Sequence, residues 1–317
     1  MRDKMLAWLG EHATDAEACF VYPAWLDAGG EKELVRDQML AWLGKHGTDA
    51  GADFVYKAWL ETSGEKELVR DQMLAWLGKH ATDAEADFVC KAWLEADGEF
   101  WVIRSPAILW LHQNCEKAEA VYVTKFLAKQ LDIPIETVRD ILTWCQSFPA
   151  DEDALWRLTQ LGRHLLREEM AEEACSTSET VLRPLILHDV HPTTVARGQI
   201  ATLLCYLISA AGLHSGQLRN RVDALLLMWL RNPTSFGDDP KPHINLQLPH
   251  HVQRVVDLVV SGALSVTADP EPLERFLRWV DSWEPERKSQ LYRTLDFLRH
   301  SYPAPGLWDM VRFTSEE

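Results

Sequence analysis

Residues 35–68 read VRDQMLAWLGKHGTDAGADFVYKAWLETSGEKEL, and this 34-residue unit recurs along the chain. Residues 69–102 match it at 26 of 34 positions, and residues 1–34 form a third copy. Two more divergent copies follow, the last over about residues 135–168. Trp8, Trp42, Trp76, Trp110 and Trp144 are each 34 apart. So are Ala18, Ala52, Ala86, Ala120 and Ala154, and so are Phe20, Phe54, Phe88, Tyr122 and Trp156. A fixed period in this range signals stacked supersecondary repeats.

Within the unit, Val35, Met39, Trp42, Leu43 and His46 follow i, i+4, i+7, i+8, i+11, one face of a helix. Gly47 or its neighbours end that helix. A second helix is expected from near Asp49. In two copies its entry reads Thr14-Asp15-Ala16-Glu17 and Thr82-Asp83-Ala84-Glu85, the S/T-x-x-E capping box. The second helix carries Ala52, Phe54, Val55, Ala58, Trp59 and Leu60. That apolar surface is too broad for one neighbour, so cover on two sides is expected. Gly29-Gly30, Ser63-Gly64 and Asp97-Gly98 close the units.

Each copy thus reads as a helical hairpin that buries its apolar faces only when the next copy stacks on it. The alanine ladder suits close helix crossing, and the tryptophan ladder suits the space between hairpins. Burying each aromatic is worth roughly 2–3 kcal/mol, so the tryptophan stripe reads as packing and not as a ligand cage. The histidines His12, His46 and His80, at the ends of the first helices, are expected to satisfy carbonyls there. The fold class expected is all-α, a right-handed αα-superhelix of hairpins with a helical C-terminal region.

Copy four departs from the pattern. Ser105-Pro106 suggests a helix beginning near Pro106, with a second helix over about 116–131. Ile133-Pro134 then breaks the chain, and Phe148-Pro149 falls in the middle turn of copy five. Residues 171–180, AEEACSTSET, are polar and lose the period. A boundary is placed there, giving a five-hairpin domain over 1–170 and an irregular helical domain over 181–317. In the latter, helices are expected at 193–211, 217–231, 251–262, 272–283, 286–300 and 306–313. Between them, residues 232–250 read as a long loop.

The period and hairpin length resemble tetratricopeptide-type repeats, with Ala50 and Phe54 at that family's second-helix Ala and aromatic positions. The W-L-x-x-H-x-T-D-A-x-A-x-F-V-x-x-A-W-L unit is also similar to helical repeats attached to bacterial signalling and defence proteins. That resemblance implies a sensor, adaptor or regulatory subunit.

Composition narrows the function classes. The chain of 317 residues carries a formal net charge of −16, which argues against a nucleic-acid backbone or an anionic membrane as partner. RNA reading one base per repeat is disfavoured on the same ground. The six cysteines form no C-x-x-C pair and read as free thiols in a cytoplasmic protein. The opening Arg2, Asp3 and Lys4 run straight into the first repeat, so no signal peptide is expected. No phosphate loop, dinucleotide fingerprint, nucleophile elbow or H-E-x-x-H occurs, and no cofactor is expected. His188 and His191 near Cys175, and His243, His250 and His251 near the long loop, are the places where an enzyme or metal site would lie. The main expectation is non-catalytic protein recognition. On first helices, Asp37, Gln38, Ala41 and Lys45, with Asp71, Gln72, Ala75 and Lys79, lie opposite the packed stripe and would line a groove for a peptide or helix. Met1, Met5, Trp8 and Leu9 give the first helix an apolar outer side, so that helix either frays or docks on a partner or a second copy. The alternative is an effector or enzyme subunit with its site in the C-terminal helical domain.

Overall fold

The computed structural model describes residues 1–63, 65–165, 167–187, 194–212 and 216–232, together with 258 and 261. Among them the regular structure is helical throughout, with thirteen α-helices and no strand. The chain forms two compact units that divide between Asp140 and Ile141.

The first unit holds α1 (Arg2–His12), α2 (Ala18–Asp27), α3 (Arg36–His46), α4 (Ala52–Ser63), α5 (Arg70–His80), α6 (Ala86–Glu95), α7 (Phe100–Asn114), α8 (Val121–Ala128) and the start of α9 (Ile135–Ser147). Its most extensive helix contacts are α2 on α4 and α4 on α6, second helix against second helix. The alanine ladder makes that approach possible, since Ala18, Ala52, Ala86 and Ala120 are all buried. First helices sit farther apart, and tryptophans fill the space. Trp42, Trp76 and Trp110 are each 1 % exposed. Their Nε1 groups donate to the Asp15, Asp49 and Asp83 carbonyls of the preceding copy at 2.7, 2.8 and 2.9 Å. Each rung therefore buries a large ring and satisfies a turn carbonyl at once.

A second tryptophan series closes the hairpins. Trp25, Trp59 and Trp93 donate to the Glu31, Glu65 and Glu99 carbonyls at 3.1, 3.2 and 3.1 Å. The ring of Trp25 lies so close to Gly30 that a Cβ there would be 2.1 Å from it, which is why the turn needs glycine. Lys32 reaches beneath the next copy, with Nζ 3.6 Å from the Trp59 ring centroid. Its burial pulls the ammonium pKa down to about 8. Tyr22 and Tyr56 lock their hairpins through hydroxyl bonds to the Ala13 and Gly47 carbonyls at 2.7 and 2.8 Å.

Three local expectations need correction. The capping boxes do not form: α2 and α6 start at Ala18 and Ala86 without a side-chain cap. The carboxylates of Asp15 and Asp83 instead take the Nδ1 of His12 and His80 at 2.8 and 2.6 Å. Secondly, α7 does not wait for Pro106 but starts at Phe100 and carries the proline inside it. Its buried Ile103, Ala107, Trp110, Leu111 and Asn114 keep the stripe spacing of the other first helices, and that burial outweighs the lost backbone bond. Thirdly, the second helix of copy four is shorter than expected, a 3-10 turn over Ala118–Ala120 followed by α8.

The second unit contains the rest of α9, then α10 (Glu152–Gln160), α11 (Ala171–Leu187), α12 (Thr194–Gly212) and α13 (Gly216–Arg231). Helices α11, α12 and α13 pack on one another, and α10 packs on α12. Residues 171–180, where the 34-residue period is lost, open α11. Their polarity is used by α13: Arg221 donates to Glu179 at 2.8 Å and to Glu172 at 2.9 Å. On the other side Ala174, Cys175, Thr177 and Ser178 are buried. The expected helices at 193–211 and 217–231 are present as α12 and α13. Those at 251–262, 272–283, 286–300 and 306–313, and the loop at 232–250, fall almost wholly outside the described residues. No described helix is long and apolar enough to cross a membrane.

Candidate protein-binding faces

The first-helix residues singled out above lie where helical periodicity puts them. Asp37, Ala41 and Lys45 on α3, and Asp71, Ala75 and Lys79 on α5, are exposed, while Gln38 and Gln72 are half-buried. The two lysines are engaged with their own array. Lys45 and Lys79 donate to the Thr14 and Thr48 carbonyls of the preceding copy at 3.1 Å. His46 and His80 reach those same carbonyls with Nε2 at 3.1 Å, so the histidines do serve turn carbonyls, though those of the neighbouring hairpin. Gln38 and Gln72 each keep a buried Oε1 without a hydrogen-bond partner. Beside them the face is smooth, and a Cβ added at Gly44 or Gly78 would meet nothing within 4 Å.

Copies four and five alter the same face. A cleft of about 390 Å³ opens between α7 and α9, lined by Ile108, Leu109, His112, Pro134, Thr137 and Asp140 among others. His112 occupies the repeat position of Gly44 and Gly78, and Asp140 that of Gln38 and Gln72. The His112 Nδ1 and Asp140 Oδ2 atoms are 3.2 Å apart. Burial raises the Asp140 carboxyl pKa, and the bond to His112 opposes that rise. Ser105 also lines the cleft, seven residues before His112 on α7. Two helical turns separate their backbones by about 10 Å, so the two do not make a nucleophile–base pair. At the first repeat, Met1 is exposed, Met5 and Trp8 are half-buried and Leu9 is buried. The Trp8 ring stacks on His12 with centroids 4.8 Å apart.

The second helices carry a face that sequence reasoning missed. Two-sided cover is present, since α4 packs on both α2 and α6, yet the first four residues of the third ladder still face solvent. Phe20 is 61 % exposed, Phe54 43 %, Phe88 44 % and Tyr122 40 %. The Phe20 and Phe54 rings touch, with centroids 5.5 Å apart. Lys57 leans over Phe88 at 5.6 Å and Lys91 over Tyr122 at 4.0 Å. Each lysine also faces a carboxylate one turn on: Lys57 with Glu61 at 4.0 Å and Lys91 with Glu95 at 3.8 Å. The sequence did hold a signal. Phe54, Lys57 and Glu61 fall at i, i+3 and i+7, a stripe distinct from Ala52, Val55, Tyr56 and Trp59.

Beneath this face lie two buried carboxylates. Asp53 and Asp87, the second residues of α4 and α6, are 4 % and 2 % exposed. Burial pushes both up to about 6. The Phe54 and Phe88 backbone N–H groups oppose that rise, while Glu85 adds to it at Asp53, and Glu119 with Glu85 at Asp87. The Asp87 Oδ1 has no hydrogen-bond partner.

Reactive chemistry is sparse among the described residues. All six cysteines are free thiols. Burial pushes Cys90 and Cys145 up to about 12 and Cys175 up to about 11, far from a nucleophilic thiolate. No group of three or more metal-ligating side chains gathers among the described residues. His188, His191, His243, His250 and His251 lie outside them. No protein-family model, curated protein or solved structure matches this chain.

Proposed function

We propose that this chain is a non-catalytic protein–protein interaction scaffold, an adaptor or regulatory subunit that docks on a larger assembly. In this reading the hairpins build a tetratricopeptide-like solenoid working in the cytoplasm, of the kind found in bacterial signalling and defence systems. The observation that carries the proposal is the exposed ladder of Phe20, Phe54, Phe88 and Tyr122. Single exposed apolar residues are ordinary, but a row of aromatics repeated in register marks a contact surface. The array beneath is stiffened by carbonyl-bound tryptophans, so the row is held ready for a partner. The first-helix face around Ala41 and Ala75 is the second surface such a scaffold would offer. The six free cysteines, five of them buried, accord with a reducing compartment.

The test is site-specific photo-crosslinking in cells. A benzophenone amino acid replaces Phe54 or Phe88 on one face, Ala41 or Ala75 on the other, and Glu33 as an off-face control. The proposal expects one discrete protein adduct from Phe54 and Phe88, absent from the control. Adducts equal at all positions, or none at any, would refute it.

A further inference from the structure

The charges around the aromatic ladder are unevenly matched. On one side, Lys57 and Lys91 already face Glu61 and Glu95 and lie over the rings of Phe88 and Tyr122, with Lys125 continuing the row. On the other side, Glu17, Glu85 and Glu119 stand three residues before Phe20, Phe88 and Tyr122. They are exposed and have no ion-pair partner among the described residues. The buried Asp87 lies within the field of Glu85 and Glu119, with one carboxylate oxygen unpartnered. Three of the four aromatics are thus preceded by a carboxylate without an ion-pair partner among the described residues, Gly51 taking that place before Phe54.

We infer that the second-helix face takes a basic amphipathic segment of a partner protein, its apolar side chains on the ladder of Phe20, Phe54, Phe88 and Tyr122 and its Lys or Arg groups on Glu17, Glu85 and Glu119. This rests on the scaffold reading and names its partner class. Charge complementarity selects this occupant: the chain's net charge of −16 draws a cationic segment in and repels an acidic one. The aromatic row supplies the apolar half of helix-in-groove recognition. The same charge disfavours a second copy of this acidic chain.

The test uses a defined probe and the full-length chain. Fluorescence anisotropy follows a labelled peptide of about 18 residues, with leucines at i, i+3, i+4 and i+7 and lysines elsewhere, beside a counterpart with glutamates for the lysines. The lysine peptide should bind saturably and the glutamate peptide should not. Glu85→Gln with Glu119→Gln, and separately Phe54→Ala with Phe88→Ala, should each weaken binding about tenfold or more. Glu33→Gln with Glu67→Gln, carboxylates on other turns, should leave it unchanged. Unaltered circular dichroism shows that each variant is folded. Equal binding of both peptides, equal loss in the control pair, or a dimer by light scattering that Phe88→Ala abolishes would each overturn the inference. If Phe54 and Phe88 crosslink a partner while the lysine peptide fails to bind, the basic-segment assignment falls and the scaffold reading stands. If crosslinking fails at every position, the scaffold reading falls and takes the basic-segment assignment with it.

Discussion

Replacing Asp87 by asparagine should make the protein more stable at neutral pH, although it removes a charge from an otherwise intact array. Asp87 is 2 % exposed, burial lifts its pKa from the ordinary carboxylate range to about 6, and Oδ1 has no partner. The sign follows from proton linkage. The folded state holds this proton more tightly than the unfolded chain, so stability is fully present below the unfolded pKa. It is lost as pH rises through about 6. Two pKa units correspond to about 2–3 kcal/mol, a large share of a marginal domain stability. The amide keeps the shape and carries no charge to desolvate. Urea unfolding of wild type and Asp87→Asn from pH 5 to pH 8 measures the difference directly. The variant should gain by about 2 kcal/mol at the upper end, with the gain shrinking toward the lower end. Asp53→Asn should behave alike, since its carboxyl is also pushed up to about 6. A variant less stable than wild type at pH 8, or a difference that ignores pH, would refute the reasoning, because Asp87 would then have a stabilising partner when charged.

Other substitutions test the packing. Trp76→Ala removes a ring 1 % exposed and leaves the Asp49 carbonyl without its donor; chemical denaturation should show a loss of about 3–5 kcal/mol. Pro106→Ala restores a backbone N–H inside α7 and should raise the thermal midpoint, by an amount within the roughly 3 kcal/mol that an interior proline can cost. In the native protein a thiol reagent should modify the half-buried Cys115 well before Cys90 or Cys145, both pushed up to about 12 by burial; mass spectrometry of the labelled peptides gives the order.

Much of the fold could be read from residues because the repeats report their packing several times over. Trp42, Trp76 and Trp110 recur on a stripe that a single helix cannot cover, and all three are buried between copies. The helices α12 and α13 were evident from apolar runs bounded by turn residues. What escaped depended on partners distant in sequence or on where a helix starts. The capping box at Thr82–Glu85 does not form because α6 starts only at Ala86, which leaves Glu85 at the N-cap and not one turn inside the helix. The polar opening of α11 finds its partner in Arg221, more than forty residues on, which binds Glu172 and Glu179. The candidate face was half legible. Periodicity placed Ala41 and Ala75 on the surface, but a helix's composition alone does not say whether its third stripe meets protein or water. Phe54 and Phe88 were therefore assigned to packing, and the structure turns them outward.

The measurement that bears most directly on the central claim is the affinity of the full-length chain for the protein captured at Phe54 and Phe88, compared with Phe54→Ala with Phe88→Ala. Both rings are more than two-fifths exposed, so their removal should leave the unfolding midpoint nearly unchanged. The account predicts a loss of about 30-fold or more, the mark of an interface anchor. Unchanged affinity in a stable double variant would contradict it.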